Sequence, residues 1–169
     1  MPYNDSYIAR IREKVGHNFE LIMPTIDVVV ENAAGELMMI YNRDFAGWAF
    51  PGGYVEPDMS WSENAAREAL EESGIIVQAD QLTALGVVSG DGYRATYPNG
   101  DQVKFYSTVF LAQTFDNELL TIDQTEIDQK TWMHPTDIAK QNLTLSGKTV
   151  FALYQAFKQT QQFQVVTVD

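Results

Sequence analysis

Apolar residues recur along the chain at two spacings, one typical of helices and the other of strands. Ile8, Ile11 and Val15 lie at helical spacing and predict a first helix, which Gly16 would end. Runs of β-branched and aromatic residues between turn-forming residues predict strands. The predicted helices are 4–15, 60–73, a short one from Pro135, and 146–158, and the predicted strands are 25–31, 36–41, 82–89, 93–97, 103–112 and 130–133.

The order of these elements predicts the fold class. Strands, one helix, further strands and closing helices are typical of an α+β protein in which a sheet packs against helices. Residues 43–49 are predicted to be a loop, and Ser146 is predicted to cap the last helix. The Gln-rich end is predicted to be a frayed strand or a tail. We expect a single domain over residues 1–169, with residues 1–20 as an N-terminal helical extension.

Three glutamates share one face of the predicted central helix. Glu68, Glu71 and Glu72 are spaced i, i+3 and i+4, which places their carboxylates side by side. Like charges at this spacing destabilise a helix by roughly 0.2–0.5 kcal/mol each. A solvated acidic face is the simplest interpretation. A divalent cation such as Mg²⁺ would offset the repulsion, because it is held in proteins by carboxylate oxygens.

A glycine-rich turn precedes that helix and strengthens the cation hypothesis. Residues 50–53 read Phe-Pro-Gly-Gly. Glycines permit positive φ and let a ligand approach the backbone closely. Ser60 or Ser62 would cap the helix, and Gly74 would follow its last turn. The segment is therefore predicted to be a glycine loop that leads into a short, capped, acidic helix.

This segment resembles the Nudix box, the signature of the Nudix hydrolases. The positions that match in register over residues 53–75 are Gly53, Arg67, Glu68, Ala69, Glu71, Glu72, Gly74 and Ile75. One position departs, because Met59 stands where the box has its first glutamate. Asp58 or Glu56 would be the substitute carboxylate. Arg67 is expected to form an ion pair with Glu63, Glu71 or Asp58.

The resemblance implies a fold, an activity and a set of site residues. The fold is an α/β/α sandwich with a mixed β-sheet between helices. The activity is that of a pyrophosphohydrolase, which acts on acid anhydrides in phosphorus-containing compounds. Mg²⁺ or Mn²⁺ would be held by Glu68, Glu71 and Glu72, and Arg67 belongs to the same catalytic group. The residues expected to contact substrate are Gly52, Gly53, Arg43 and Phe45, with Tyr93, Arg94 and Tyr97 as weaker candidates.

Many Nudix enzymes add a carboxylate from a distal loop, as a further metal ligand or as the general base. Glu126 and Asp128 are the candidates in this chain, and Glu126 is the residue that we assign to the catalytic group. Counting back from Trp132 to the position where relatives often carry the glutamate leads to Gln129. The resemblance therefore leaves the identity of the base open.

Composition narrows the classes of partner. The formal net charge of −12 argues against binding to nucleic-acid polymers, which takes a basic surface. Bound cations would still let an acidic protein hold a small phosphorylated nucleotide. No apolar run approaches the ~20 residues that span a bilayer, so no membrane association is expected. The chain has no cysteine, which fits a cytoplasmic protein, and a homodimer is left open.

The expected function is metal-dependent hydrolysis of the pyrophosphate of a nucleoside diphosphate linked to another moiety. A nucleotide sugar, ADP-ribose, a dinucleotide and a (d)NTP all remain candidate substrates, because the box indicates metal and pyrophosphate and not the leaving group. A non-catalytic, nucleotide-sensing Nudix-like domain is the first alternative, and Met59 favours it. A scaffold with a relict box is the second. The three retained glutamates make the enzyme the preferred hypothesis.

Overall fold

Two β-sheets form the centre of the protein in the computed structural model, which describes residues 6–116 and 127–169. The strands are β1 (Leu21–Val30), β2 (Leu37–Asn42), β3 (Gly47–Ala49), β4 (Gly52–Tyr54), β5 (Thr83–Ser89), β6 (Arg94–Thr96), β7 (Gln102–Ala112), β8 (Ile127–Met133) and β9 (Gln164–Thr167). The helices are α1 (Tyr7–Val15), α2 (Trp61–Glu68), α3 (Pro135–Ile138) and α4 (Leu145–Thr160). A π-helical turn (Ala69–Ser73) and a 3₁₀ turn (Ala79–Gln81) complete the set.

The larger sheet is mixed and has β1 and β7 at its centre. Its strand order is β4-β1-β7-β5-β9, with β6 paired to β7 as well. β1 and β7 run parallel from the pair Leu21 and Val103 to the pair Val30 and Ala112. The smaller sheet has the order β3-β2-β8 and is antiparallel throughout. The predicted mixed sheet is therefore confirmed.

Helices cover both faces of the larger sheet because β1 buries side chains on both sides. Ile26, Val28 and Val30 point to one face and form a cluster with Ala65 and Ala69 at the box helix. The opposite face forms the other main core with α4, whose packing residues are Val150, Phe151, Leu153 and Tyr154. This arrangement is the α/β/α layering that the resemblance implied. Within the described residues, no helix is long and apolar enough to cross a lipid bilayer.

The N-terminal helix forms as predicted and packs against the sheet. The side chain of Ser6 caps it, and Gly16 ends it with φ at 76°. Ile8 is buried against residues of β1 and β7. The Arg12 guanidinium is also buried and donates to the backbone carbonyls of Gly16, Phe19 and Gln102. Residues 4 and 5, where the predicted helix began, lie outside the described part of the chain.

Three predictions about local structure were wrong. The predicted loop 43–49 contains β3, which pairs with β2. The second half of the predicted turn at residues 50–53 belongs to β4, which pairs with β1. Thr144, and not Ser146, caps α4, because the Thr144 side chain accepts a hydrogen bond from the Gly147 amide. Only β4 depends on a partner distant in sequence, because β3 pairs with the adjacent strand β2 and Thr144 caps through a residue three positions later. The C-terminal end forms the strand β9.

Candidate active site

The acidic helix of the box is shorter than predicted and ends in a wider turn. Ser60 and Glu63 form a capping box at the start of α2. The α-helical part ends at Glu68, the π-helical turn Ala69–Ser73 follows, and Gly74 ends it in the left-handed conformation with φ at 73°. A π-helical turn spaces side chains differently from an α-helix. Glu71 and Glu72 therefore do not follow the i, i+3, i+4 geometry that the sequence predicted.

Arg67 lies between two of the three glutamates. Its Nη1 is 2.7 Å from Glu71 Oε2, and its Nη2 is 2.5 Å from Glu68 Oε1. The same Nη2 donates to the backbone carbonyl of Tyr54 at 3.1 Å. The predicted pair with Glu71 is thus present, and Glu68 is a second partner that the sequence did not indicate. A guanidinium cation bridges two carboxylates beside the glycines of the box.

Burial sets the electrostatics of Glu68. Only 7% of this residue is exposed. Burial raises its pKa to about 7, the positive charge of Arg67 opposes that shift, and the negative charge of Glu71 adds to it. A buried carboxyl group with this pKa exchanges its proton near neutral pH. Cation binding and protonation will therefore compete at Glu68.

The two glycines before the helix allow close packing within the protein. The Gly52 amide donates to Glu72 Oε2 at 2.8 Å. A Cβ at Gly52 would lie 2.5 Å from the Ile26 carbonyl oxygen, and one at Gly53 would lie 2.5 Å from Glu68 Oε1. Neither glycine has positive φ. The freedom of glycine to adopt positive φ is therefore not used at these two positions, and the close approach of β1 and Glu68 is what requires glycine.

The three glutamates supply suitable donors for a hard cation but do not converge on one point. Within residues 6–116 and 127–169, no group of three or more Asp, Glu, His or Cys side chains lies close enough to hold a metal ion. Glu68 and Glu71 both bind Arg67, and Glu72 binds the Gly52 amide. Carboxylate oxygens are nevertheless the ligands that Mg²⁺ prefers. A cation would replace the guanidinium between two of the carboxylates.

Neither Glu56 nor Asp58 takes the place of the glutamate that Met59 replaces in the box. Met59 is 39% exposed. Glu56 is buried, but its carboxylate accepts the Tyr7 amide at 2.9 Å and so stabilises the start of α1. Asp58 is exposed. Arg67 is instead held by the Tyr54 carbonyl and the box glutamates.

A cavity of about 440 Å³ adjoins the box. Glu72, Gly52 and Gly53 lie along its wall. Of the two predicted substrate contacts outside the glycines, Phe45 lines the cavity, whereas Arg43 is exposed and does not. The weaker candidates also line the cavity, together with further aromatic side chains: Tyr93, Arg94, Tyr97, Tyr54, Phe50 and Phe105. A volume of this size suits a small organic ligand.

The cavity has a polar group that sequence reasoning missed. Asp27 lines it and is only 6% exposed. Ser107 Oγ donates to Asp27 Oδ2 at 2.5 Å, and Ser146 Oγ donates to Oδ1 at 2.7 Å. Burial raises the pKa of Asp27, and the two serine hydroxyls oppose that shift. A single carboxylate inside the apolar run Thr-Ile-Asp-Val-Val-Val was the available signal.

The distal carboxylate stays a prediction. Glu126 lies outside the described residues. Asp128 belongs to β8, whose backbone pairs with β2. Gln129 is exposed and lies opposite Tyr41 in that pair of strands.

Comparison with known proteins decides the family. A sequence model of the NUDIX domain matches residues 21–154. The chain belongs to this family. A MutT-like protein of Streptomyces ambofaciens is 40% identical over 57 residues, which are 34% of this chain and 37% of the relative. A Bacillus subtilis (strain 168) protein provisionally named 8-oxo-dGTP diphosphatase is 40% identical over 47 residues, 28% of this chain and 32% of the relative. The chain thus matches about a third of the length of these curated relatives.

Solved NUDIX structures share the fold. The MutT NUDIX hydrolase from Burkholderia pseudomallei superposes with a TM-score of 0.64 at 21% identity, over 78% of this chain and 97% of that one. The NUDIX domain of Shewanella oneidensis NrtR, in a complex with ADP ribose, superposes with a TM-score of 0.67 at 15% identity, over 92% of this chain and 98% of that one. Both likenesses establish the NUDIX fold of this chain.

Proposed function

We propose that this NUDIX protein hydrolyses the pyrophosphate of a nucleoside diphosphate linked to another moiety, with Mg²⁺ or Mn²⁺ as cofactor. The observation that carries the proposal is that the cavity extends to Glu72, Gly52 and Gly53 of the box. A nucleotide in this cavity would have its phosphates beside the acidic helix. The family membership supports hydrolysis of an acid anhydride as the reaction class.

Each box residue has a distinct role in this proposal. Glu68, Glu71 and Glu72 would hold the cation, which supplies positive charge to the pyrophosphate oxygens and activates a water molecule. Arg67 positions Glu68 and Glu71 through its two ion pairs until a cation takes its place between them. Glu72 fixes the start of β4 through the Gly52 amide.

A carboxylate must also accept the proton of the attacking water. We assign this role to Glu126, with Asp128 as the second candidate. Comparison of the Glu126→Gln and Asp128→Asn variants decides between them. The variant that lacks the base should lose most activity, relative to wild type, above the pKa of that base, where the wild-type carboxylate is ionised. The difference should shrink at low pH, where the wild-type base is protonated as well.

A panel of nucleotide sugars, ADP-ribose, dinucleotides and (d)NTPs tests the proposal with Mg²⁺ or Mn²⁺ and separate detection of phosphate and nucleotide products. At least one substrate is expected to be hydrolysed, and Glu72→Gln or Glu68→Gln is expected to lower turnover by about a hundredfold or more, since a metal contributes several kcal/mol to transition-state charge stabilisation. Asp80→Asn is the matched control, because Asp80 is exposed outside the box. If Glu68→Gln and Glu72→Gln turn over the substrate as fast as Asp80→Asn does, the proposed metal site is wrong.

A nucleotide-sensing domain is the second candidate function. The absence of a carboxylate at Met59 and the ion pairs of Arg67 with two expected metal ligands favour it. The NrtR domain in the ADP ribose complex has the same fold. Nucleotide binding without product release above the Glu72→Gln background would identify the sensor.

A further inference from the structure

The cavity contains a carboxylate that the proposed phosphate chemistry does not use. Asp27 lies on β1, which runs through the centre of the larger sheet, and its side chain lies on the α4 side of that strand. The box helix α2 packs against the opposite side, through Ile26 and Val28. Asp27 lines the same cavity as Glu72, with its side chain on the opposite side of β1 from the box helix. It is therefore available to contact a part of the ligand other than the phosphates.

The hydrogen bonds around Asp27 all orient protons toward its carboxylate. Ser107 and Ser146 each have one hydroxyl proton, and each donates it to a different oxygen of Asp27. A carboxylate has about four acceptor positions, and the serines occupy two of them. Acceptor capacity remains on a group that borders the cavity.

The serine hydroxyls also fix the position of this acceptor. Ser107 lies on the neighbouring strand β7, and Ser146 lies in the first turn of α4. The N-terminus of a helix stabilises negative charge through its dipole and its free amides. Asp27 is thus held between two rigid elements, which is the arrangement expected of a group that recognises a ligand by geometry.

The other walls of the cavity suit a flat ring. Phe45 is 37% exposed and packs edge-to-face on Tyr97, with ring centroids 5.2 Å apart. The Tyr54 hydroxyl donates to the Tyr97 hydroxyl at 2.7 Å and fixes that ring. Aromatic side chains of this kind stack with nucleobases irrespective of base identity. Aromatic residues would therefore provide affinity, and a separate polar group is needed for base selection.

We propose that Asp27 is the specificity-determining residue of this site and selects nucleobases that carry an amino group, by accepting its N–H. The proposal rests on the proposed function, which brings a nucleotide into the cavity. A base with an amino group supplies a donor to the buried carboxylate. A base with an oxygen at that position would place two acceptors against each other and bring no donor to the remaining acceptor positions of Asp27, which is unfavourable in a buried site.

Binding of nucleoside diphosphates, measured by calorimetry without hydrolysis, tests this. IDP lacks the amino groups of ADP and GDP, and UDP lacks that of CDP. At least one amino-bearing nucleotide is expected to bind about ten- to hundredfold more tightly than its counterpart, as for a hydrogen bond to a charged group. The ratio of the two dissociation constants is expected to fall close to one in Asp27→Asn. In Ser146→Ala it is expected to fall part of the way.

Two matched variants separate recognition from stability. Glu31→Gln alters another buried carboxylate at the end of β1, which pairs with Lys158. Thr149→Ala removes another hydroxyl of α4, which donates to the Leu145 carbonyl. Neither residue lines the cavity, so both variants should keep the wild-type ratio. A purely structural Asp27 would change the melting temperature and leave the ratio intact, which would overturn the proposal.

The outcomes for the two proposals differ. If no nucleoside diphosphate binds, the proposed function fails and Asp27 loses its role with it. If nucleotides bind equally well with and without the amino group, only the role of Asp27 fails. If the ratio is present in wild type and survives in Asp27→Asn, another group reads the base.

Discussion

Mg²⁺ binding should release a proton from Glu68. The pKa of this carboxyl group is about 7 in the metal-free protein, because the side chain is buried. A cation binds the ionised form and must displace the proton. The ionised fraction rises from about one tenth near pH 6 to about nine tenths near pH 8, so the apparent dissociation constant for Mg²⁺ should fall roughly tenfold over that interval. A tenfold change corresponds to about 1.4 kcal/mol of binding free energy.

Calorimetry in two buffers of different protonation enthalpy measures both the dissociation constant for Mg²⁺ and the number of protons released on binding. Wild type should release about 0.9 proton per Mg²⁺ near pH 6 and about 0.1 near pH 8, because the ionised fraction determines the release. Glu68→Gln has no such proton and should bind Mg²⁺ weakly and with little pH dependence. Asp80→Asn, an exposed carboxylate outside the box, should behave as wild type. The same proton release in Glu68→Gln and wild type would refute the assignment of both the pKa and the metal ligand.

Three further predictions follow from the same contacts. Gly53→Ala should lower hydrolysis with a small change in melting temperature, because the new Cβ meets the Glu68 carboxylate. Gly52→Ala should lower the melting temperature strongly, because its Cβ meets the Ile26 carbonyl oxygen, and comparable thermal shifts in the two variants would contradict this. Met59→Glu should modestly raise activity or Mg²⁺ affinity, and a loss of activity in a folded variant would show that the site is adapted to methionine. Without metal, the folded state binds the Glu68 proton more tightly than the unfolded state does. The free energy of unfolding should therefore fall as pH rises from about 4.5 through about 7. Urea titrations should show a smaller fall in Glu68→Gln, and an identical fall would exclude Glu68 as its source.

The chemistry of the box could be predicted from the sequence because it depends on short-range spacing. Residues 53–75 contain the glycines, the helix and the acidic residues within one local segment. Helical periodicity relates residues that are three or four apart. The same local rules predicted α1, the strands β1, β5, β6 and β7 of the larger sheet, and Ser60 as one of two candidate caps. They also led to the fold class, since alternating elements leave few ways to bury their apolar faces.

The arrangement within the site was decided by tertiary contacts. The π-helical turn after Glu68 and the second ion pair of Arg67 changed the geometry that regular helical spacing predicted. Glycine is required at Gly52 because β4 pairs closely with β1, and no local pattern indicates that pairing. Short strands such as β3 and β4 carry too few residues to show a clear period.

Asp27 shows most directly the difference between what the sequence determines and what the fold decides. Asp27 and Ser146 are 119 residues apart in sequence and bond to each other in the fold. Helical rules assigned Ser146 to the cap of α4. Thr144 takes that position, which leaves the Ser146 hydroxyl free to turn toward β1. The sequence alone determined which chemical groups the protein has. Only the folded chain decided which of them meet, because contacts between distant segments depend on how the sheet and helices pack together.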